Sequence, residues 1–406
     1  MASVSHSSGT GQGYIGALRR LRDPLLLVVA PITFAALSIV LGYLNSWPIG
    51  FDFRGTLWEP AHALLDGMPI YPEPTRDNVV LGNPTVYPPV FILLSVPLAL
   101  IPVTAASWLW FCVLGGCVFA ALWILGVRDW RCYVIALTSP VVIHGLFYGN
   151  LTIVMVLLVA VAWRYRDRAA VAGLALGAAV AAKLFVWPVV VWLVLTRRYR
   201  AAAWATLSAV LLVVGAWALI GFEGMREYPK LLRAVQDVYA ERSISASTVA
   251  GALGASVDAA VVLAAIFGLA LLSAAAFVVR RGDGDRRAFA LAIGACIVAS
   301  PIVWPNYAAL LFVPIAVTWR RLAPLWFFGY VTWLLATFAP KPVDSDVCCR
   351  PPGVPEQAWG WSHAEPPLWY ALGMVVVVLG VTVLGAATVQ RVAGPARNEQ
   401  LAAAPS

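Results

Sequence analysis

Apolar runs follow one another along nearly the whole chain, and the breaks between them are of two kinds. One kind is basic: arginines crowd at residues 19–22, 128–131, 164–168, 197–200, 280–287, 320–321 and 391–397, each beside an apolar run. The other kind is polar but not arginine-rich. Because basic loops are retained on the cytoplasmic side, setting all seven arginine clusters inside predicts membrane-spanning helices near residues 25–44, 104–126, 132–147, 150–163, 169–182, 184–196, 201–221, 258–279, 288–302, 305–319, 322–339 and 367–389. That is a bundle of about 12 transmembrane helices with both termini inside. Several of these runs fall short of the about 20 residues a straight crossing needs, which predicts helices that are broken or buried within the bundle. Residues 88–102, PPVFILLSVPLALIP, are apolar but short and punctuated by proline, and are read as re-entrant or half-spanning.

Composition agrees with this class. With 61% hydrophobic residues, 12% charged residues and a mean hydropathy of +0.82, the chain has too few charges to clothe a soluble surface, so an all-α polytopic membrane protein is expected, with the lipid bilayer as its surroundings. The net charge of +8 is then a topology signal, and a nucleic-acid partner is not implied. The N-terminal segment is Ser/Gly-rich, then basic, and runs into a full-length apolar stretch with no small-residue cleavage site, so the first helix is read as uncleaved. This gives a cytoplasmic tail over 1–24, one multi-pass domain over 25–390 with outer loops at 45–88, 222–250 and 340–366, and a cytoplasmic tail over 391–406. Arginine outnumbers lysine 25 to 3, which suggests a GC-rich, actinobacterial-like bacterium and hence the plasma membrane.

The polar island at 45–88 carries Asp52, Arg54, Glu59, His62 and Asp66 at a membrane surface. The same parity brings other polar groups to that outer face: the turn Tyr148–Gly149–Asn150, Lys183 at the end of a helix starting near Ala169, and the turn Trp304–Pro305–Asn306–Tyr307. The segments at 223–245 and 339–367 could roof such a site. Met225, Tyr228, Leu231, Leu232 and Val235 in the first of them recur at helical spacing, as in an interfacial amphipathic helix. Each candidate has a structural rival. Asp52 also suits the N-cap of a helix starting near Phe53; Lys183 also suits snorkelling to the interface; His62 also suits packing beside Trp58 and Glu59; Asn306 and Tyr307 also suit closing a turn after Pro305. The four histidines, His6, His62, His144 and His363, show no ligand spacing with cysteine or carboxylate, and no metal and no cofactor are predicted. Of the six cysteines, the vicinal pair Cys348 and Cys349 is assigned no bridge, since a disulfide between neighbours is strained.

Taken in order, several segments resemble one family. A single Asp after the first helix, then LLDGMPIYPEP, then VYPPVFILLSVPLALIP, is similar to the opening pattern of the polyprenol-phosphate-sugar-dependent mannosyltransferases of glycosyltransferase family 87, in the GT-C superfamily. SPVVIHGLFYGNLT resembles that family's G-Q-x-N turn, AGLALGAAVAAKLFVWPVVVWLVLTRRYRAA its G…K..P…RR block, and SPIVWPNY its SP..W turn. The match runs over roughly residues 45–320. It departs from the pattern where Asn150 and Thr152 replace the amides of the G-Q-x-N turn, and where Asn306 and Tyr307 stand at positions often held by histidine.

The resemblance implies an inverting membrane glycosyltransferase of GT-C type, moving mannose from a polyprenyl-phosphate donor to a glycolipid or envelope-glycan acceptor on the extracytoplasmic face. Asp52 would be the general base. Donor phosphate or substrate would be met by Lys183, with Arg54, His62, Tyr87, Asn150, Trp304, Asn306 and Tyr307 around it. The alternative within the family is arabinofuranosyl transfer from decaprenyl-phosphate arabinose. A lipid-linked sugar transporter or flippase is the alternative outside it. Such a transporter should show paired broken helices in two related halves and a site near the midplane, whereas here the polar outer loop occurs once and the candidate residues lie towards one face.

Overall fold

The computed structural model describes residues 25–44, 48–71, 73–75, 78–79, 85–239, 243–281, 284–337 and 368–387, and every regular element among them is helical. The expected tails, the roof segment at 339–367, and Cys348 and Cys349 lie outside the described residues.

A π-turn, Leu25–Val29, leads into α1 (Ala30–Leu44). The segment that follows, expected as an outer loop, is itself helical: α2 begins at Phe51–Phe53, passes through a π-helical stretch, Arg54–Trp58, and ends in Glu59–Leu65. Then come α3 (Pro89–Ala99), α4 (Val103–Ile124), α5 (Trp130–Leu137), α6 (Pro140–Tyr148), α7 (Thr152–Arg164) and α8 (Ala169–Ala182). Next are α9 (Pro188–Leu195), α10 (Tyr199–Leu219), α11 (Tyr228–Tyr239), α12 (Ala246–Ala252), α13 (Val257–Val278) and α14 (Gly284–Val298). The last are α15 (Phe312–Thr318), α16 (Phe328–Thr337) and α17 (Leu368–Ala387).

Four of these, α4, α10, α13 and α17, are long and apolar enough to cross a bilayer alone. A fifth crossing arises if α5 and α6 form one span, but they meet at 57°. The bend has a local cause. Pro140 has no N–H for the helical ladder, and Ser139 before it is driven out of the α region, to φ −60° and ψ 132°. The span expected at 132–147 is therefore a bent pair. At eleven residues α3 rises about 16 Å, too little for a core about 30 Å thick. The segment with apolar residues at helical spacing folds as α11, which buries Leu231, Val235 and Val238, while Met225 lies in the turn before it, exposed.

The central pair α7 and α8 runs antiparallel and gives the molecule two ends. α8 lies close against α10: a Cβ at Gly173 or Gly177 would run into Trp204 or Ser208, the close approach that small residues permit between membrane helices. At the arginine-rich end, Asp285 at the start of α14 gathers three helices. Its carboxylate accepts from Arg166 Nε at 3.0 Å, from Arg198 Nη1 and Nη2 at 3.0 Å each, and from Trp192 Nε1 at 2.9 Å. Asp129 caps α5 at the same end and also accepts from the Leu322 N–H at 3.1 Å; the hydrogen bonds from Arg131 hold its carboxyl down at about 2.

Because Asp285 neutralises two partly buried guanidinium groups, Asp285→Ala is expected to destabilise the bundle by roughly 1–3 kcal/mol, discounted for partial exposure. In detergent this reads as a melting temperature lowered by several degrees. An unchanged melting curve would remove Asp285 as the fastener of this end.

Candidate active site

At the other end of α7 and α8, two glycine turns meet. Gly50 is the N-cap of α2 at φ +77°, and Gly149 follows α6 at φ +74°. Both are left-handed, a region that L side chains enter only at a cost. They are also in contact: a Cβ on Gly149 would stand 2.7 Å from Phe53 Cβ and 3.2 Å from Gly50 Cα. The Gly50 N–H donates to the Phe147 carbonyl at 2.7 Å, and Trp110 Nε1 donates to the Gly149 carbonyl at 2.9 Å while its ring stacks on Phe53. The residues that follow each glycine are thereby held face to face.

Those residues are Asp52 and Asn150. Asn150 Nδ2 donates to Asp52 Oδ2 at 2.7 Å. The other end of the same amide, Oδ1, accepts from the Thr152 N–H at 3.0 Å, from Thr152 Oγ1 at 2.8 Å and from Lys183 Nζ at 3.3 Å. Lys183 also reaches Thr152 Oγ1 at 3.2 Å. Asn150 is buried with both ends of its amide engaged, so it holds carboxylate and ammonium on opposite ends of one planar group. The Lys183 ammonium lies 4.2 Å from the ring centre of Tyr307, 5.3 Å from that of Tyr87 and 5.9 Å from that of Phe185, a cation–π cage. Lys183 itself ends α8 in an extended conformation, φ −152° and ψ 117°, which turns its side chain out of the helical stack.

Asp52 does not cap its helix. The cap is Gly50, no side-chain cap bond is made there, and Asp52 sits in the first turn with its carboxylate engaged by Asn150. Burial pushes the carboxyl above its usual range, while the Asn150 hydrogen bond and the Lys183 charge pull it back. The π-helical stretch begins two residues later, and the Thr56 hydroxyl there bonds back to the Asp52 carbonyl. Such stretches are frequent at functional sites because they re-aim a turn of helix.

Asp52, Asn150, Lys183, Tyr87 and Tyr307 are thus brought together. Asn306 adjoins Tyr307, is 1% exposed and has neither amide atom hydrogen-bonded. Three other candidates are not gathered in. Arg54 Nε donates to the Ile49 carbonyl at 2.9 Å and to Ser107 Oγ at 3.1 Å, clamping the turn from outside. His62 stacks on Trp58 and lies 3.8 Å from Asp66 on an exposed face. Trp304 packs edge-on against Tyr239. Thr56 and Phe185 have no signal in the sequence, and Thr152, visible there as a departure from the G-Q-x-N turn, joins the site by its bonds to Asn150 and Lys183. Among the described residues no cluster of three or more His, Cys, Asp or Glu could hold a metal ion, and Cys112, Cys117, Cys132 and Cys296 are free thiols.

The family model of glycosyltransferase family 87 matches residues 85–305, more than half of the chain. The chain belongs to that family. It is therefore a glycosyltransferase, and its apolar helices fit a membrane setting. No curated protein and no solved structure was found to match this family 87 chain. Tyr87, Asn150 and Lys183 fall within the matched segment, Asn306 and Tyr307 directly after it, and Asp52 ahead of it.

Proposed function

We propose that this family 87 enzyme transfers mannose from a polyprenyl-phosphate donor to a glycolipid or envelope-glycan acceptor, with inversion, at the extracytoplasmic face of a bacterial plasma membrane. The observation that carries the reading is the Asp52–Asn150–Lys183 array, which sets a carboxylate and a cation at one spot. The acceptor hydroxyl gives its proton to Asp52 as its oxygen attacks the anomeric carbon. The bond from that carbon to the phosphate oxygen breaks, and the polyprenyl phosphate leaves with the electron pair, its charge balanced by Lys183. Since the phosphate is already a good leaving group, no second carboxylate is needed. The arginine-rich end lies about 20 Å away along the thirteen residues of α7, which supports the outer setting of the array. The shorter helices, paired or buried in the bundle, would complete about 12 passages in a GT-C-type arrangement.

A second reading, transfer of arabinofuranose from decaprenyl-phosphate arabinose, is favoured by Asn306 and Tyr307 standing where imidazole groups are common in the mannosyltransferases. Purified protein offered radiolabelled polyprenyl-phosphate mannose or decaprenyl-phosphate arabinose with envelope glycolipid extracts separates the two. Label in glycolipid from the mannose donor alone is the expected result; label from arabinose alone selects the second reading, and label from neither rejects both.

The role given to Lys183 makes its own forecast. Lys183→Met is expected to lower transfer by about 10²- to 10³-fold, the cost of removing one group that stabilises developing charge, whereas Lys183→Arg keeps the charge and part of the rate. Full activity in the Met variant at matched expression and saturating donor would take Lys183 out of the site.

A further inference from the structure

Tyr87 stands beside both charged groups of the array, yet its main chain has little with which to hold itself. Pro88 and Pro89 follow it, neither has an N–H, and a residue before proline is kept extended. Support comes instead from two phenols. Tyr228 donates its hydroxyl to the Val86 carbonyl at 2.7 Å, and Tyr71 donates to the Tyr87 carbonyl at 2.8 Å. These are consecutive carbonyls, of the Val86–Tyr87 and Tyr87–Pro88 peptides, so the Tyr87 main chain is held on both sides of its Cα.

The two phenols come from distant parts of the chain and are packed as a unit. Tyr71 stacks on Trp217 near the end of α10 with ring centres 4.9 Å apart. Tyr228, the first residue of α11, meets Tyr71 edge-on at 5.5 Å and Trp217 at 5.6 Å. The turn between α10 and α11 makes room for them at Gly224, where φ is +73° and a Cβ would stand 3.1 Å from the Tyr71 ring. From Tyr87 the linkage continues inward: its ring faces the Lys183 ammonium, 5.3 Å from the ring centre, and Lys183 shares the Asn150 amide with Asp52.

We propose that Tyr71 and Tyr228 are positioning residues for sugar transfer, fixing the two peptides that flank Tyr87 and, through Tyr87, the relative placement of Asp52 and Lys183. The interfacial helix α11 is by this route fastened to the reacting groups. Neither phenol hydroxyl bonds to Asp52 or Lys183, and their effect is exerted through Tyr87. This inference rests on the Asp52 and Lys183 roles stated above.

The test uses full-length protein with Tyr71→Phe and Tyr228→Phe, which keep the ring packing and delete one hydroxyl each. Expected are near wild-type melting temperatures and a kcat reduced by about 5- to 30-fold in each, the scale of one lost hydrogen bond at a positioned group, with donor KM little changed. In a Tyr87→Ala background both effects should largely vanish, because residues acting through a common partner are not additive. A readout free of any donor is the acetylation rate of Lys183 relative to Lys230, followed by mass spectrometry, which should rise several-fold in both Phe variants. Wild-type kcat in both variants, undiminished effects in the Tyr87→Ala background, or an unchanged Lys183 labelling ratio would each overturn the proposal. An active Asp52→Asn enzyme would instead overturn the roles on which it rests, and the labelling ratio would still decide whether the phenols order the Lys183 surroundings.

Discussion

Asp52→Asn is expected to lower sugar transfer by about 10²- to 10⁴-fold, the usual worth of a positioned base, while the protein stays folded. The substitution is nearly isosteric. The N-cap of its helix is Gly50, so no cap is lost, and the first-turn charge is worth at most about 1 kcal/mol against the helix dipole. What disappears is the ability to take the acceptor's proton. The pH dependence follows from the same surroundings. The proposed mechanism needs the ionised carboxylate, so kcat/KM should climb with pH through the Asp52 pKa, and because burial raises that pKa above its ordinary 3.8, the acid limb should lie above the ordinary carboxylate range. Removing the Lys183 charge takes away one of the influences that lower it, so Lys183→Met should move the limb further towards alkaline pH and Lys183→Arg should not. A folded Asn variant turning over near the wild-type rate would end the assignment.

Gly149→Ala should damage both the fold and the site. A left-handed alanine costs about 1–2 kcal/mol, and its methyl must also displace Phe53 or the Gly50 backbone, an overpacking worth about 1–3 kcal/mol more. Folding yield and melting temperature should fall, and the protein that does fold should transfer poorly because Asn150 is pushed off Asp52. Gly67 provides the control. Its φ is +69° with open space around it, so Gly67→Ala bears the conformational cost alone. Equal melting temperatures for the two variants would show that the meeting of the turns is looser than described.

The helices were readable because their limits are set by groups that do not enter hydrocarbon. α8 begins and ends where the run between Arg168 and Lys183 does, and α4 lies within two residues of its expected limits. The short run 132–147 pointed to a helix broken or buried in the bundle, but hydropathy has no term for direction, so the size of the bend, 57° at Ser139–Pro140, was not legible. Within the site, Asp52, Asn150 and Lys183 stood out as polar residues at the ends of apolar runs. Arg54 was grouped with them by nearness in sequence, but two residues along a helix turn a side chain by about 200°, and Arg54 faces Ser107 instead. His62 lies ten residues beyond Asp52, about 15 Å further along the helix. The grip of Tyr71 and Tyr228 on consecutive carbonyls was not legible at all, since it joins segments whose only link is the tertiary fold.

The hydrogen bond between Asn150 and Asp52 joins residues 98 positions apart, and that separation bears on how the enzyme comes into being. As the chain emerges from the ribosome, α2 is made well before α6, so the carboxylate waits without its partner until four more helices have followed it. Catalytic competence is therefore a late event in biogenesis, reached when the second glycine turn docks on the first. A gene divided within the loop between α4 and α5 would yield two fragments, one bearing Asp52 and the other Asn150 and Lys183. Recovery of transfer on co-expressing them would report, in living cells, the docking of the two turns.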